Sequence, residues 1–148
     1  MLIFTTSRKP KHMTRIIART LANLIPGSRY IARGKAAVDS LAETASQLGY
    51  ERIAIVGESH GNPAKISFAD ISKDCWDWNK AEVSIKSAEA ADKKTKAGEL
   101  KIEDSSGLKL EELFIAESEP EAEIALKADE KKMAFEKDGK KLLTIIMK

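Results

Sequence analysis

His12, His60 and Cys75 make up the entire imidazole and thiol inventory of the sequence, so any zinc site or nucleophile with a histidine base would have to be built from them. Their spacing matches no metal-binding or catalytic arrangement. Ser59-His60-Gly61-Asn62 could hold a phosphate in a nest of backbone N–H groups. It lacks, however, both the glycine-lysine pattern of a P-loop and the spacing of a dinucleotide fingerprint. His60 is expected to be a turn residue. No catalytic residue, metal ligand or cofactor is expected, and the protein is not expected to be an enzyme.

The side chains that can do something are cations. No acidic residue precedes Asp39, whereas Arg8, Lys9, Lys11, Arg15, Arg19, Arg29, Arg33 and Lys35 are all basic, and every arginine lies at or before Arg52. The net charge of +2 conceals this because the balance inverts later. From Glu111 to Glu123 six glutamates occur with no lysine or arginine between them. One end of the chain suits a polyanion and the other repels it. Ser7, Arg8, Lys9, Arg15, Arg19, Arg29, Arg33 and Lys35 are the candidate RNA-binding residues. Charge-assisted hydrogen bonds to phosphate supply the affinity and make it salt-dependent. Tyr30, between Arg29 and Ile31, either stacks a base or packs in the core.

These residues need a scaffold, and the hydrophobic pattern supplies an α/β one. Leu2 to Thr6 reads as a short buried strand, followed by a helix from about Pro10 that ends before Pro26-Gly27. Met13, Ile17, Leu21 and Leu24 form its inward stripe, with His12, Arg15 and Arg19 outside. Its N-terminus would offer free N–H groups and a positive dipole end beside Ser7, Arg8 and Lys9. Arg29 to Ala32 is a second strand. A helix near Ala36 to Leu48 follows, with Val38, Leu41, Ala45 and Leu48 inward and Gly49 past its C-terminus. Arg52 to Glu58 has the apolar run of a strand covered on both faces. His60 to Pro63 is a turn, and Ile66, Phe68 and Asp70 alternate as another strand. The first half thus reads β-α-β-α-β-β, a mixed or parallel sheet with helices packed on it.

The second half is harder to read. Glu82 to Ser87 and Glu123 to Ala128 look like strands, and Leu110 to Ala116 is a short helix or strand. Ala88 to Gly98 is a lysine-rich helix or loop. Asp138-Gly139 between Met133 to Glu136 and Leu142 to Met147 is a two-residue hairpin signal. With 148 residues, 43% of them hydrophobic, the chain can bury a core as one domain, a basic half over about residues 1–70 and a strand-rich half over about 80–148. A lone cysteine and no signal-peptide pattern at the N-terminus lead to an expectation of a cytoplasmic protein. No apolar run approaches the roughly 20 residues of a membrane helix.

Thr5-Thr6-Ser7-Arg8-Lys9-Pro10, then Ile25-Pro26-Gly27-Ser28 and Arg33-Gly34-Lys35, together resemble the Brix domain. Ile53-Ala54-Ile55-Val56-Gly57-Glu58 and Gly61-Asn62-Pro63 continue the likeness, which is greatest to short, single-domain archaeal members. The motifs cover about the first 70 residues. The resemblance implies a ribosome biogenesis factor that binds rRNA or pre-rRNA. It also implies two similar α/β halves akin to the anticodon-binding domain of class II tRNA synthetases. Ribosomal or other assembly proteins are further possible partners. A second reading makes the chain a protein-interaction scaffold acting through Trp76, Trp78 and the glutamate-rich stretch.

Overall fold

A computed structural model describes residues 1–73 and 75–148. The elements in chain order are β1 (Leu2–Thr6), α1 (His12–Leu24), β2 (Arg29–Tyr30), α2 (Val38–Gln47), β3 (Arg52–Ser59) and β4 (Asn62–Ile71). They continue with β5 (Trp76–Ala90), β6 (Lys101–Asp104), α3 (Leu110–Leu113), β7 (Ile124–Ala128), β8 (Lys132–Lys137) and β9 (Lys140–Met147). The strands form one mixed sheet in the order β2-β1-β3-β4-β5-β9-β8-β7-β6.

The sheet is built twice over. In the first half β1 is parallel to β3, β3 antiparallel to β4, and β4 antiparallel to β5. In the second β6 is parallel to β7, β7 antiparallel to β8, and β8 antiparallel to β9. The equivalent strands β5 and β9 then pair antiparallel, the relation of two units about a local two-fold axis. The length of β5 permits this, since Trp76 to Ser84 pair with β4 and Ile85 to Ala90 pair with β9. The two similar α/β halves are thus visible in the strand pairing.

Strand alternation sorts side chains onto two faces. Leu2, Phe4, Ala54, Val56, Ile66 and Phe68 meet Ile17, Ala18, Leu21 and Leu24 of α1. Ile3, Ile53, Ile55 and Ala69 meet Leu41, Ala42 and Ala45 of α2 on the other side. The apolar run of β3 is therefore covered on both faces, as its composition requires. Leu126, Phe135, Leu143 and Ile145 of the second half join the α1-side cluster. Phe114, just past α3, links the halves, its ring centroid 6.2 Å from Phe4 and 6.1 Å from Phe68. Arg52 adds a polar tie: its Nε pairs with Asp70 at 2.5 Å and its Nη1 donates to the Glu112 and Leu113 carbonyls at 2.8 Å. Those carbonyls lie at the end of a helix, where the regular intrahelical partners run out; the Glu112 carbonyl also accepts the Ile115 N–H at 3.3 Å.

Several expectations are corrected. Met13 is 40% exposed and Leu48 46%, so neither belongs to its helix's inward stripe. The first turn of α1 turns Thr14 inward instead, toward a carboxylate described below. Leu48 is the C-cap residue of α2, beyond the buried positions Leu41, Ala42 and Ala45. Ala88 to Ala90 continue β5 rather than starting a helix. Strand β6 was not expected, and its sequence Lys-Ile-Glu-Asp is that of a charged edge strand.

Candidate nucleic-acid interface

Ser7, Arg8, Lys9, Arg33 and Lys35 lie just past the ends of β1 and β2, whereas Arg15 and Arg19 stand along α1 and Arg29 opens β2, paired with Ile3 of β1. The connection leaving β1 runs to α1 on one face, and the connection leaving β2 runs to α2 on the other. Loops that part over neighbouring parallel strands stand at the strands' carboxyl ends, the usual ligand position in α/β sheets. Arg33 ties the two loops together: its Nη1 donates to the Thr6 carbonyl at 3.0 Å and its Nε to the Ala36 carbonyl at 2.6 Å. It is only 9% exposed, and burial, then the nearby Arg8 charge, lower its pKa from the ordinary arginine value.

Glu58, at the end of β3, supplies the anion for the start of α1. Its Oε2 accepts the Lys11 backbone N–H at 3.0 Å and the Thr14 hydroxyl at 2.6 Å. Lys11, the N-cap residue, has no capping side-chain bond of its own. The helix N-terminus expected to be free is therefore served by a carboxylate from another strand. The hydrogen bonds from Thr14 and Lys11 hold the Glu58 carboxyl below its usual pKa, with the Lys11 and Arg15 charges assisting. Because the folded pKa is the lower one, the stability Glu58 contributes is complete above the unfolded glutamate pKa, roughly 4.3. It is lost as pH falls through the folded value. In urea titrations, the wild-type midpoint should fall more between neutral pH and about pH 3 than that of Glu58→Gln. Parallel pH profiles would show that this carboxylate does not couple helix and strand.

Around this built floor stand the cations. Arg8, Lys9, Arg19, Arg29 and Lys35 are exposed, and Arg15 is half-buried with its Nη1 donating to the Pro10 carbonyl at 3.3 Å. Lys9 has φ of 52°, a left-handed conformation that costs a non-glycine residue roughly 1–2 kcal/mol. The guanidinium of Arg19 lies 5.1 Å from the centroid of Tyr30, whose ring also packs against the main core. Tyr30 thus joins α1 to β2 and serves as a seat for Arg19 rather than as an open platform. None of these arginines and lysines forms an ion pair among the described residues.

The fold encloses two of the eight candidates. Arg33 spends two nitrogens on backbone carbonyls, and the Oγ of Ser7 is buried with no partner among the described residues. Both sit beneath the surface that the other six present. The sequence reading missed Glu58 and Thr14. The available signal was negative: a helix beginning at Lys11-His12 without a Ser, Thr, Asp or Asn cap needs its anion from elsewhere. His12 opens α1, and His60 occupies the β3–β4 turn with Gly61, at φ of 52° and 80° as a two-residue hairpin turn demands. Cys75 lies at the opposite end of β4, beside Ser72, so the sheet separates the thiol from His60. No helix among the described residues is long and apolar enough to cross a membrane.

No family model matches the chain. A probable Brix domain-containing ribosomal biogenesis protein of Pyrococcus horikoshii is 37% identical over 76 residues, 51% of this chain and 34% of that protein. One of Methanothermobacter thermautotrophicus is 43% identical over 70 residues, 47% of this chain and 41% of the relative. The match therefore spans well under half the length of these relatives. Among solved structures, a probable ribosomal biogenesis protein from Aeropyrum pernix superimposes with a TM-score of 0.76 at 23% identity, covering 99% of this chain and 93% of that one. An archaeal Imp4-like protein, Mil, gives 0.70 at 25% identity, covering 99% and 96%. The two-half sheet, the motif-bearing loops at its strand ends and these likenesses converge: the chain is a relative of the archaeal Brix domain-containing ribosomal biogenesis proteins, in sequence over about half its length and in fold over nearly all of it.

Proposed function

We propose that the chain folds as one Brix domain and acts in the cytoplasm as a non-catalytic ribosome biogenesis factor. It holds rRNA or pre-rRNA by its phosphates through Arg8, Lys9, Arg15, Arg19, Arg29 and Lys35. The observation that carries this reading is the electrostatic state of the β1–α1 corner. Glu58 already answers the helix dipole, yet Arg8, Lys9, Arg15, Arg19, Arg29 and Lys35, spread over the β1–α1 loop, α1 and β2 and its following loop, have no acidic partner among the described residues. Such a surplus is a standing demand for a polyanion. Arg33 and the Glu58 bonds set the loops that carry Arg8, Lys9 and Lys35 and the start of the helix that carries Arg15 and Arg19, so that phosphate contact requires little further ordering.

Binding to an rRNA fragment is the test. If about six phosphates are neutralised, affinity should fall roughly a thousandfold between 50 and 200 mM monovalent salt. The fragment should be recovered uncleaved after prolonged incubation. Affinity independent of salt, or cleavage that copurifies with the protein and disappears in His60→Ala, would overturn the proposal.

A further inference from the structure

At the far end of β4 from the basic corner stands a second feature, on the α2 face of the sheet. Trp76 lies opposite Ile71 and Trp78 opposite Ala69, and both of those β4 residues belong to the α2-side core. The indoles meet edge to face at 87°, with centroids 5.1 Å apart. The Nε1 of Trp76 donates to Asp39 in the first turn of α2 at 2.6 Å, which pins one wall of the corner. Trp78 is 50% exposed. Beside the pair a groove of about 590 Å³ runs between α2 and the end of β4, lined in part by Asp39, Ala42, Glu43, Ile71, Lys73 and Trp76.

We infer that this corner docks a segment of a protein partner in which an arginine or lysine stands next to a leucine-sized apolar residue. The apolar floor, Ala42, Ile71 and Trp76, takes the apolar side chain. The exposed face of Trp78 attracts a cation through its ring quadrupole. Glu43, one turn beyond Asp39 on α2, adds a carboxylate on the groove wall. Charge decides against the alternative occupant: among the described residues two groove carboxylates against one lysine disfavour an RNA backbone, whereas they complement a basic protein segment. An exposed tryptophan beside a groove with an apolar floor is the composition of an interface anchor. Because β4 separates the corner from the cations at the β1 end, protein and RNA can be held at once.

Trp76 and Trp78 are the only tryptophans in the chain, so tryptophan emission, excited selectively over the tyrosines, reports on this site alone. The probe is an acetylated, amidated octapeptide of alternating arginine and leucine, with a glutamate-leucine octapeptide and polyuridylate as comparisons. The arginine peptide should change tryptophan emission saturably, and the glutamate peptide should not. By anisotropy of a labelled arginine peptide, Trp78→Ala should weaken binding about tenfold and Glu43→Gln about threefold. Arg8→Ala should leave it unchanged, which keeps this result separate from the RNA reading. Circular dichroism and thermal melting confirm that each variant is folded. Unsaturable emission, wild-type affinity in both groove variants, or a saturable emission change on adding polyuridylate without peptide would overturn the inference.

Discussion

Phe114→Ala is expected to destabilise the protein by about 3–5 kcal/mol, the range for a fully buried phenylalanine. The ring is entirely enclosed. It belongs to the second half by sequence, yet its neighbours Phe4 and Phe68 are on β1 and β4 of the first. Truncation removes two aromatic contacts and opens a void at the seam between the halves. Small rearrangements cannot fill that void, because the strands on either side are held by their ladders. Equilibrium urea unfolding measures the loss. If the seam is what couples the halves, the transition should also broaden and its slope fall, as one cooperative unit becomes two. Trp78→Ala, half exposed at the start of β5, should cost much less. A Phe114→Ala loss below about 1 kcal/mol, outside the usual range for such a site, would mean that the halves are coupled by the β5–β9 ladder, the rest of the shared core and the Arg52 tie rather than by this ring.

The first half was legible because its patterns are local. The apolar run at Ile53 to Val56, the stripe of Ile17, Leu21 and Leu24, and the glycine at position 61 each specify their element without help from the rest of the chain. Asp138-Gly139 did the same for the last hairpin, with φ of 51° and 77°. Strand β5 was read only in its middle. Its alanines, lysines and glutamates have weak strand propensity, and what makes all fifteen residues extended is pairing with β4 at one end and β9 at the other. The charged edge strand β6 is likewise set by its parallel partner β7. In the site, residue type revealed the cations but not their depth. Arg33 and Arg8 are indistinguishable in sequence, and only the divergence of two loops around Thr6 and Ala36 buries one and exposes the other. Glu58 reads as a strand-end charge until β3 and α1 are side by side.

The difference between Arg33 and its neighbours yields the most discriminating variants. Arg8, Arg19 and Lys35 are exposed and lack acidic partners among the described residues, so each is free to replace a counterion on a phosphate. Alanine at any one should reduce the slope of log affinity against log salt by about one and weaken unrelated RNA sequences almost equally. The triple variant should lose roughly a hundredfold at low salt, about 1 kcal/mol per charge-assisted contact. Its fold should be intact, because the Arg19 contact with the Tyr30 ring, worth about 0.5–1 kcal/mol at an exposed site, is, among the described residues, the one tie to another element given up. Arg33→Ala should behave in the opposite way. It strips donors from the carbonyls of Thr6 and Ala36, so it should cost about 1–3 kcal/mol of stability. Below its melting temperature the salt slope should stay unchanged, since a guanidinium 9% exposed releases no counterion to RNA. Lys127→Ala is the control, its ammonium being paired with Glu136 at 2.7 Å on the second half of the sheet. An unchanged slope in the triple variant, or an equal loss in the control, would move the RNA surface away from the β1–α1 corner. A slope lowered by Arg33→Ala as much as by Arg8→Ala would mean that the loops part on binding and that the tie across Thr6 and Ala36 is released to phosphate.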